Sequence, residues 1–197
     1  MFGPKILVVA ASLRAGSHNG RLAALVAKEL ALGEARITRI SVADYPLPLL
    51  DADVIADSGP PDNAVKLKRI LAAHEGVFIA SPEYTASVTP LLKNAIDWVT
   101  RVRERDEEPN AAFKDRVFRH GLGFHSRRWR PECARSAAAN SASRVWRAGT
   151  TRADQCRPRA DAFDDMDNLK DENLTTALKE MVRRLIDLAS VMPKAME

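Results

Sequence analysis

At 197 residues, with 46% apolar residues, the chain is long enough to bury one hydrophobic core, and we expect a single domain over residues 1–197. A net charge of +4 would ordinarily favour a nucleic-acid or membrane-surface partner. The excess is local, however, because residues 119–159 hold ten arginines, no lysine and two acidic residues, which leaves 20 basic against 24 acidic residues elsewhere. The overall basicity therefore does not argue for such a partner.

The sequence predicts neither a membrane span nor a secretory signal. No stretch approaches the ~20 consecutive apolar residues of a membrane helix. The apolar run Ile6–Ala11 resembles the core of a short signal peptide, but it lacks a charged leader and continues as a strand followed by a loop. Two cysteines, Cys133 and Cys156, form no CxxC pair and fit a reducing compartment. We expect a cytoplasmic protein.

The first part of the chain alternates between strand and helix patterns. Ile6–Ala11 is continuously apolar, as in a central parallel strand that is covered on both faces. The elements predicted after it are a helix over 19–32 closed by Gly33, a strand over 35–42, an irregular proline-containing loop over 44–51, a helix over 63–74 and a strand over 77–80.

The stretch SPEYTASVTPLLKNAIDWV, residues 81–99, follows the strand that ends at Ala80. It predicts a polar turn holding Pro82, Glu83 and Tyr84, and then a helix that begins at Pro90 with Thr89 as N-cap. A fourth strand begins over 116–118. This order of elements predicts a doubly wound parallel sheet, in which ligands bind in loops at the carboxyl ends of the strands.

The pattern fails over residues 119–159, where Leu122 and Val145 are the only Leu, Ile or Val residues. They are too few for a strand or an amphipathic helix to bury, so no element is predicted there. Order returns with a polar turn, FDDMDNLKDE, and a strongly amphipathic helix over 174–190. No pattern in the sequence predicts the fourth helix and the fifth strand of the expected fold.

The loop SLRAGSHNGR after the first strand has the composition of a phosphate cradle. Ser12, Ser17 and Asn19 offer hydroxyl and amide donors, Arg14 offers a fork of charged donors, and Gly16 permits a sharp turn. A helix N-terminus in this position binds anions. The loop is neither a Walker loop nor a GxGxxG fingerprint. The alternative is an ordinary helix cap beside a surface arginine.

The second loop offers a flat, polar and aromatic surface. Its candidate binding residues are Pro82, Glu83, Tyr84, Thr85 and Ser87. Such a set suits a planar heteroaromatic ring with polar edges. The alternative is a turn whose tyrosine packs on the following helix. The two loops follow strands of one sheet, and this shared position favours phosphate binding over the plain cap.

With these two motifs, the chain resembles the NAD(P)H-dependent FMN reductase family of the flavodoxin-like superfamily, which includes quinone, chromate and azo-compound reductases. The resemblance covers Lys5 to Phe118 and resumes over DAFDDMDNLKDE and the last helix. It implies a flavodoxin-like, doubly wound, five-stranded parallel sheet in a three-layer α/β/α arrangement. Asparagine usually stands in the family where this chain has Thr85, and glycine where it has Leu91.

The resemblance also implies a site and an activity. Ser12, Arg14, Ser17 and Asn19 would hold the FMN phosphate. Pro82, Glu83, Tyr84 and Thr85 would line the flavin, largely through backbone groups, with Ser87 nearby. Hydride would pass from NADPH or NADH through FMN to a quinone, a flavin or a similar small acceptor, with no catalytic side chain required. A homodimer or homotetramer is expected on the same ground.

A second hypothesis is a flavin-binding module or inactive relic whose segment 119–159 is disordered or binds polyanions. Arginines around Trp129 and Trp146 resemble the cation and aromatic mixture of single-strand nucleic-acid binders, but no recognisable fold carries them. Metal binding has less support. No zinc spacing is matched by His120, His125, Cys133 and Cys156. A surface turn is a better interpretation than a calcium loop for Asp164, Asp165, Asp167 and Asn168. We expect His18 and His74 at the surface or at helix ends, with His18 beside the phosphate.

The arginine-rich segment generates a prediction about the gene. A run of Arg, Ala and Ser between two stretches of good family sequence is what a GC-rich gene yields when it is translated in the wrong reading frame. We expect the coding DNA to show two compensating single-base shifts near the ends of 119–159. An intact reading frame through this region would contradict the hypothesis.

Overall fold

The computed structural model describes residues 3–84, 87–104, 107–123 and 162–193. Strands and helices alternate along the chain as the sequence predicts. The elements are β1 (Lys5–Ala10), α1 (His18–Leu32), β2 (Arg36–Ser41), α2 (Ala52–Ser58), α3 (Asp62–Ala72), β3 (Gly76–Tyr84), β4 (Ser87–Val88), α4 (Pro90–Arg101), β5 (Val117–Gly123) and α5 (Glu172–Ser190). No helix within these ranges is long and apolar enough to cross a bilayer.

The sheet is parallel and doubly wound, which confirms the predicted fold class. Strands β2, β1, β3 and β5 lie side by side in this order, all parallel, and the two-residue β4 pairs antiparallel with the end of β3. Since β1 lies in the middle, between β2 and β3, the order of the strands reverses beside it, as in other doubly wound sheets. The described residues thus contain four parallel strands, and the predicted fifth is not among them.

Two helical layers cover the sheet because successive side chains of a strand point to opposite faces. Ile6, Val8 and Ala10 of β1 lie in one core cluster with α1 and α5. Leu7 and Val9 lie in another cluster with α3 and α4. Every one of these five side chains is buried, which explains why β1 is continuously apolar rather than alternating. The three-layer α/β/α arrangement is therefore confirmed.

The closing helix α5 packs tightly on the sheet. Asp171 caps it by accepting from the backbone N–H groups of Asn173 and Leu174. A Cβ atom placed on Gly76 of β3 would lie 3.2 Å from both Ala189 and Leu185 of α5, closer than nearly all side-chain contacts. Glycine at the start of β3 therefore lets the helix approach the strand, and the predicted helix over 174–190 has the sheet face that it requires.

Two strands are longer than predicted, and one helix was missed. Pro82–Tyr84, predicted as a polar turn, are the last residues of β3, where they pair with β5 and β4. Residues 119–123, where no strand was predicted, continue β5. Backbone pairing with β3 supports this strand, and Gly121 is required because its Cβ would lie 2.7 Å from Cζ of Phe78. Helix α2 buries none of its residues, so no apolar stripe predicted it.

His74 lies just beyond the end of α3, one of the two positions expected for it, and it is buried rather than at the surface. Its Nδ1 lies 2.7 Å from the carbonyl oxygen of Ile70, and its Nε2 lies 2.7 Å from the hydroxyl of Thr38 on β2. A carbonyl can only accept, so Nδ1 carries the proton and Nε2 accepts from Thr38. Burial lowers the pKa of His74 below its ordinary value of 6.5. The neutral ring joins the end of α3 to the edge strand.

We predict that His74 makes folding sensitive to mild acid. As the pH falls below 6.5, His74 takes up a proton in the unfolded chain but not yet in the folded chain. The contribution of His74 to the free energy of unfolding, present above that pH, is therefore lost. The variant His74→Phe should lose about 1–3 kcal/mol of unfolding free energy at neutral pH, since two hydrogen bonds disappear. It should also lose less further stability than the wild type between about pH 7.5 and about pH 5.5. Urea unfolding at both pH values measures this, and equal slopes for the two proteins would contradict it.

Candidate functional site

The candidate site lies where β1 ends beside β3 and β5, which continue a few residues further. Ala10 of β1 pairs with Ala80 of β3, and Ala80 pairs with Gly121 of β5. The backbone N–H of Ala11 donates to the carbonyl of Ala80 at 2.8 Å, which holds the start of the β1–α1 loop against β3. Adjacent strands lie about 4.8 Å apart, so the segments that leave this row start side by side. The β1–α1 loop therefore begins beside β3, upstream of the segment predicted as the second loop.

The β1–α1 loop forms a compact turn that ends in a capped helix. The hydroxyl of Ser12 accepts from the backbone N–H of Arg14 at 3.3 Å, and the N–H of Ser17 donates to the carbonyl of Arg14 at 3.2 Å. Gly16 has a φ of +64°, a conformation that favours glycine. Ser17 is the N-cap of α1, and its hydroxyl accepts from the N–H of Gly20 at 3.0 Å. The loop therefore delivers the amino end of a helix to the sheet edge.

The charges around this helix end favour an anion. The first turn of α1 contains no acidic residue. Arg14 is exposed and takes part in none of the ion pairs found in the described ranges. Free amides and the positive end of the helix dipole add to its charge. Hydroxyl, amide and guanidinium donors without a competing carboxylate are a donor set that suits a phosphate group.

The second segment is a strand end and a hairpin rather than the predicted loop. Glu83 pairs with Val88 and Tyr84 with Ser87, so β4 folds back on β3. Pro82 is buried and lies beyond the last pair between β3 and β1, where the strand has lost one neighbour and a missing N–H is tolerated. The side chain of Tyr84 is 53% exposed. Thr85 lies outside the described residues.

Helix α4 fixes the far side of the hairpin. The hydroxyl of Thr89 accepts from the N–H of Leu92 at 3.2 Å, which confirms the predicted N-cap before Pro90. Asn94 and Trp98 both donate to the carbonyl of Pro48, at 2.8 and 2.7 Å. These contacts attach the proline-containing loop between β2 and α2 to α4. They were not predicted, although an asparagine and a tryptophan one turn apart on a helix were visible in the sequence.

The predicted site residues differ in how far they are open to a ligand. Arg14 and Tyr84 are exposed, and Ser12 and Ser87 are half-buried. Ser17 is occupied as a cap, and Asn19 is only 4% exposed, so its side chain offers little surface to a ligand. The backbone of Glu83 lies in the hairpin.

The remaining candidate residues do not form a site in the described part of the chain. No group of three His, Cys, Asp or Glu side chains there could hold a metal ion. His120 lies in β5, and burial lowers its pKa to about 4. Residues 164–168 form a surface turn, in which Asp164 accepts from the N–H groups of Met166 and Asn168. His125, Cys133, Cys156, Trp129 and Trp146 lie outside the described residues.

His18 is the first residue of α1, directly after the β1–α1 loop, and is half-buried. Its ring stacks on that of Phe163, with the two centroids 6.2 Å apart and an interplanar angle of 2°. Its Nδ1 is buried without a hydrogen-bond partner within the ranges described. The ring therefore faces the protein rather than the solvent, which was not anticipated.

Comparison with known proteins agrees with this geometry. A family model described as NADPH-dependent FMN reductase matches residues 4–150. The chain is 37% identical to a quinone reductase of Escherichia coli over 102 aligned residues, which cover 51% of this chain and 53% of that protein. It is 40% identical to a probable NADPH:quinone oxidoreductase of Oryza sativa over 102 aligned residues, which cover 50% of each chain. The chain thus spans about half the length of the curated relatives it matches.

Solved structures share this fold. The flavoenzyme NAD(P)H:(acceptor) oxidoreductase FerB from Paracoccus denitrificans superposes with a TM-score of 0.72 at 24% identity, covering 94% of this chain and 97% of that one. An FMN-dependent NADH-azoreductase of Bacillus anthracis, solved with FMN, has a TM-score of 0.62 at 13% identity, covering 93% and 99%. At these identities the likeness concerns the fold alone.

The cap of α1 generates a prediction about the stability of the helix start. Replacing Ser17 by Ala removes the acceptor for the Gly20 N–H and should cost about 1 kcal/mol of unfolding free energy. Replacing Ser17 by Asp keeps an acceptor and should retain most of that energy, because aspartate is a good N-cap and its charge suits the helix dipole. Urea unfolding measures both variants, with Thr89→Ala on α4 as a matched cap deletion. A Ser17→Ala variant as stable as the wild type would show that the cap does not contribute.

Proposed function

The chain belongs to the NADPH-dependent FMN reductase family, and from this we propose that it is an NAD(P)H-dependent FMN reductase that passes hydride equivalents to a small acceptor such as a quinone. The observation that carries the proposal is the common row of Ala10, Ala80 and Gly121. This row supports the proposal because it brings the β1–α1 loop, which leads to the amino end of α1, beside the part of β3 that continues into the hairpin. A ligand with a phosphate at one end and a planar ring at the other fits this pair of surfaces.

The phosphate end of the site is the β1–α1 loop. We assign Ser12, Arg14, Ser17 and Asn19 to the phosphate of FMN. Arg14 is free of ion pairs within the described ranges and supplies the full charge. Ser12 supplies a half-exposed hydroxyl, and Ser17 and Asn19 hold the first turn of α1, whose backbone N–H groups point toward the ligand.

The ring end is the strand end and hairpin, Pro82 to Ser87. Backbone groups of Pro82, Glu83, Tyr84 and Thr85 would border the flavin, with Ser87 nearby. Bound FMN supplies the redox chemistry of such an enzyme, which is hydride transfer between a nicotinamide and an acceptor. The protein needs no acid, base or nucleophile of its own for that step. Its contribution is to fix the ring, leave one face open and hold the phosphate.

The substrates follow from the names of the relatives and the assembly from the family resemblance, and both are part of the proposal. A quinone is the favoured acceptor, because the names of the curated relatives include a quinone reductase, two probable NADPH:quinone oxidoreductases and a 2-hydroxy-1,4-benzoquinone reductase. Either NADPH or NADH is the donor. We also propose a homodimer or homotetramer in the cytoplasm. The alternative of an inactive relic is disfavoured because the family match continues to residue 150, well inside the arginine-rich segment.

A titration of the purified protein with FMN tests the proposal. We expect flavin fluorescence to change on binding, followed by NADPH consumption when a quinone is present. A folded protein that binds FMN without turnover would support the module rather than the enzyme. A folded protein that binds no FMN would overturn the proposal.

The same titration with single variants tests the phosphate assignment. Arg14→Met should weaken FMN binding about tenfold or more, since a charge-assisted contact to a phosphate contributes about 1.5–3 kcal/mol. Arg101→Met is the matched control, because this exposed arginine lies at the opposite end of α4 from the site. Equal effects of the two substitutions would mean that Arg14 acts only through the overall charge.

A further inference from the structure

We propose that the turn over residues 163–169 positions the first turn of α1 for the phosphate of FMN, with Arg21 as the principal positioning residue. The inference rests on the proposed function and assigns a role to a segment near the other end of the chain. Residues 163–169 lie beyond the family match, which ends at 150, so the match gives this turn no role.

The aromatic ring of Phe163 lies across the first turn of α1. His18 stacks on it with nearly parallel planes, and the guanidinium carbon of Arg21 lies 4.5 Å from the ring centroid. His18 and Arg21 are three residues apart, which places them on one face of the helix. Phe163 itself is buried, with 5% of its surface exposed. The helix start is thus covered by a ring from a segment more than 140 residues away.

Arg21 joins the turn to the helix cap. Its Nη2 donates to the carbonyl of Asp164 at 2.9 Å, and its Nε donates to a carboxylate oxygen of Asp167 at 2.5 Å. Its backbone N–H donates to the carbonyl of Ser17 at 3.0 Å, which is the first hydrogen bond of α1. One residue therefore closes the first helical turn with its backbone and anchors it with its side chain. Since Asp167 pairs with its charge, Arg21 acts on the phosphate through Ser17 rather than by contact.

The turn over residues 163–169 is stabilised by hydrogen bonds among its own residues. The carboxylate of Asp164 accepts from the N–H groups of Met166 and Asn168, at 2.9 and 2.8 Å. The N–H of Asp164 donates to the carbonyl of Asn168 at 2.9 Å, and a bridge joins Phe163 to Leu169. These hydrogen bonds lower the pKa of the Asp164 carboxyl, so it stays ionised and keeps accepting. The support persists through the neutral pH range.

Positioning matters here because helix ends fray. The amides that would bind the phosphate belong to the same first turn, and a frayed turn must be ordered when the ligand binds. A turn that is already fixed removes part of that entropic cost. The benefit applies to the phosphate alone, since the flavin ring would lie on the hairpin at the other end of the site.

The test compares FMN with riboflavin, which carries the same ring without the phosphate. We expect Arg21→Met to weaken FMN binding about tenfold while changing riboflavin binding by less than about twofold, both measured by flavin fluorescence. Lys28→Met is the matched control. It removes one positive charge from the same helix, and Lys28 also contacts the turn, at Asn168, but almost three helical turns from the phosphate end. It should leave both affinities unchanged.

A second variant guards against misfolding of Arg21→Met. Asp167 is mostly exposed, and Asp167→Asn removes only the charge that anchors Arg21, so we expect the protein to fold and to bind FMN about threefold more weakly. If FMN and riboflavin affinities fall in parallel, or if Lys28→Met matches Arg21→Met, the positioning role is wrong while the proposed function stands. If the wild type binds neither flavin, the proposed function fails and the inference fails with it.

Discussion

The register of three parallel strands is the constraint on which the candidate site depends. Hydrogen bonds between β1, β3 and β5 place Ala10, Ala80 and Gly121 on one row. A shift of one residue in this pairing would reverse every side chain of β1 relative to the two cores. Since β1 is buried on both faces and Gly121 fits against Phe78 without room for a methyl group, the packing admits a single register. The site inherits its geometry from that packing.

Around this row, the functional segments are held by short polar contacts rather than by apolar burial. Ser17 and Thr89 each cap a helix, and each helix begins where a strand has just ended. Caps contribute only about 1 kcal/mol each, but they orient backbone groups that would otherwise be unsatisfied. The same polar groups can then serve a ligand. The helix end that the Ser17 cap stabilises is thus the same one that would bind an anion in the proposed function.

Much of the fold could be predicted from the sequence, because periodic apolar residues report burial directly. The continuous run in β1 and the stripe of α5 indicated both helical layers and the parallel sheet. The start of α1 after the β1–α1 loop and the Thr89–Pro90 start of α4 could be predicted from cap chemistry. These are local signals, since each depends on residues within a few positions of one another.

The features that escaped prediction depend on distant partners. The strand over 119–123 is stabilised by backbone hydrogen bonds to β3. Buried His74 is hydrogen-bonded to Thr38 on β2, and Arg21 pairs with Asp167 across more than 140 positions. No periodicity or spacing within one segment reports such pairs.

The carbonyl of Pro48, which accepts from both Asn94 and Trp98, has a consequence for the order of folding. The two donors lie 46 and 50 residues further along the chain, and the N–H of Leu50 donates to Asn94 across 44 residues. These bonds can form only after β3 and α4 have docked, because closing so long a segment carries an entropic cost that must be met first. The proline-containing loop is therefore expected to become ordered only after α4 has docked. During unfolding, the loop loses these hydrogen bonds as soon as α4 separates from the sheet. We therefore expect a protease to cleave this loop when the protein opens partially.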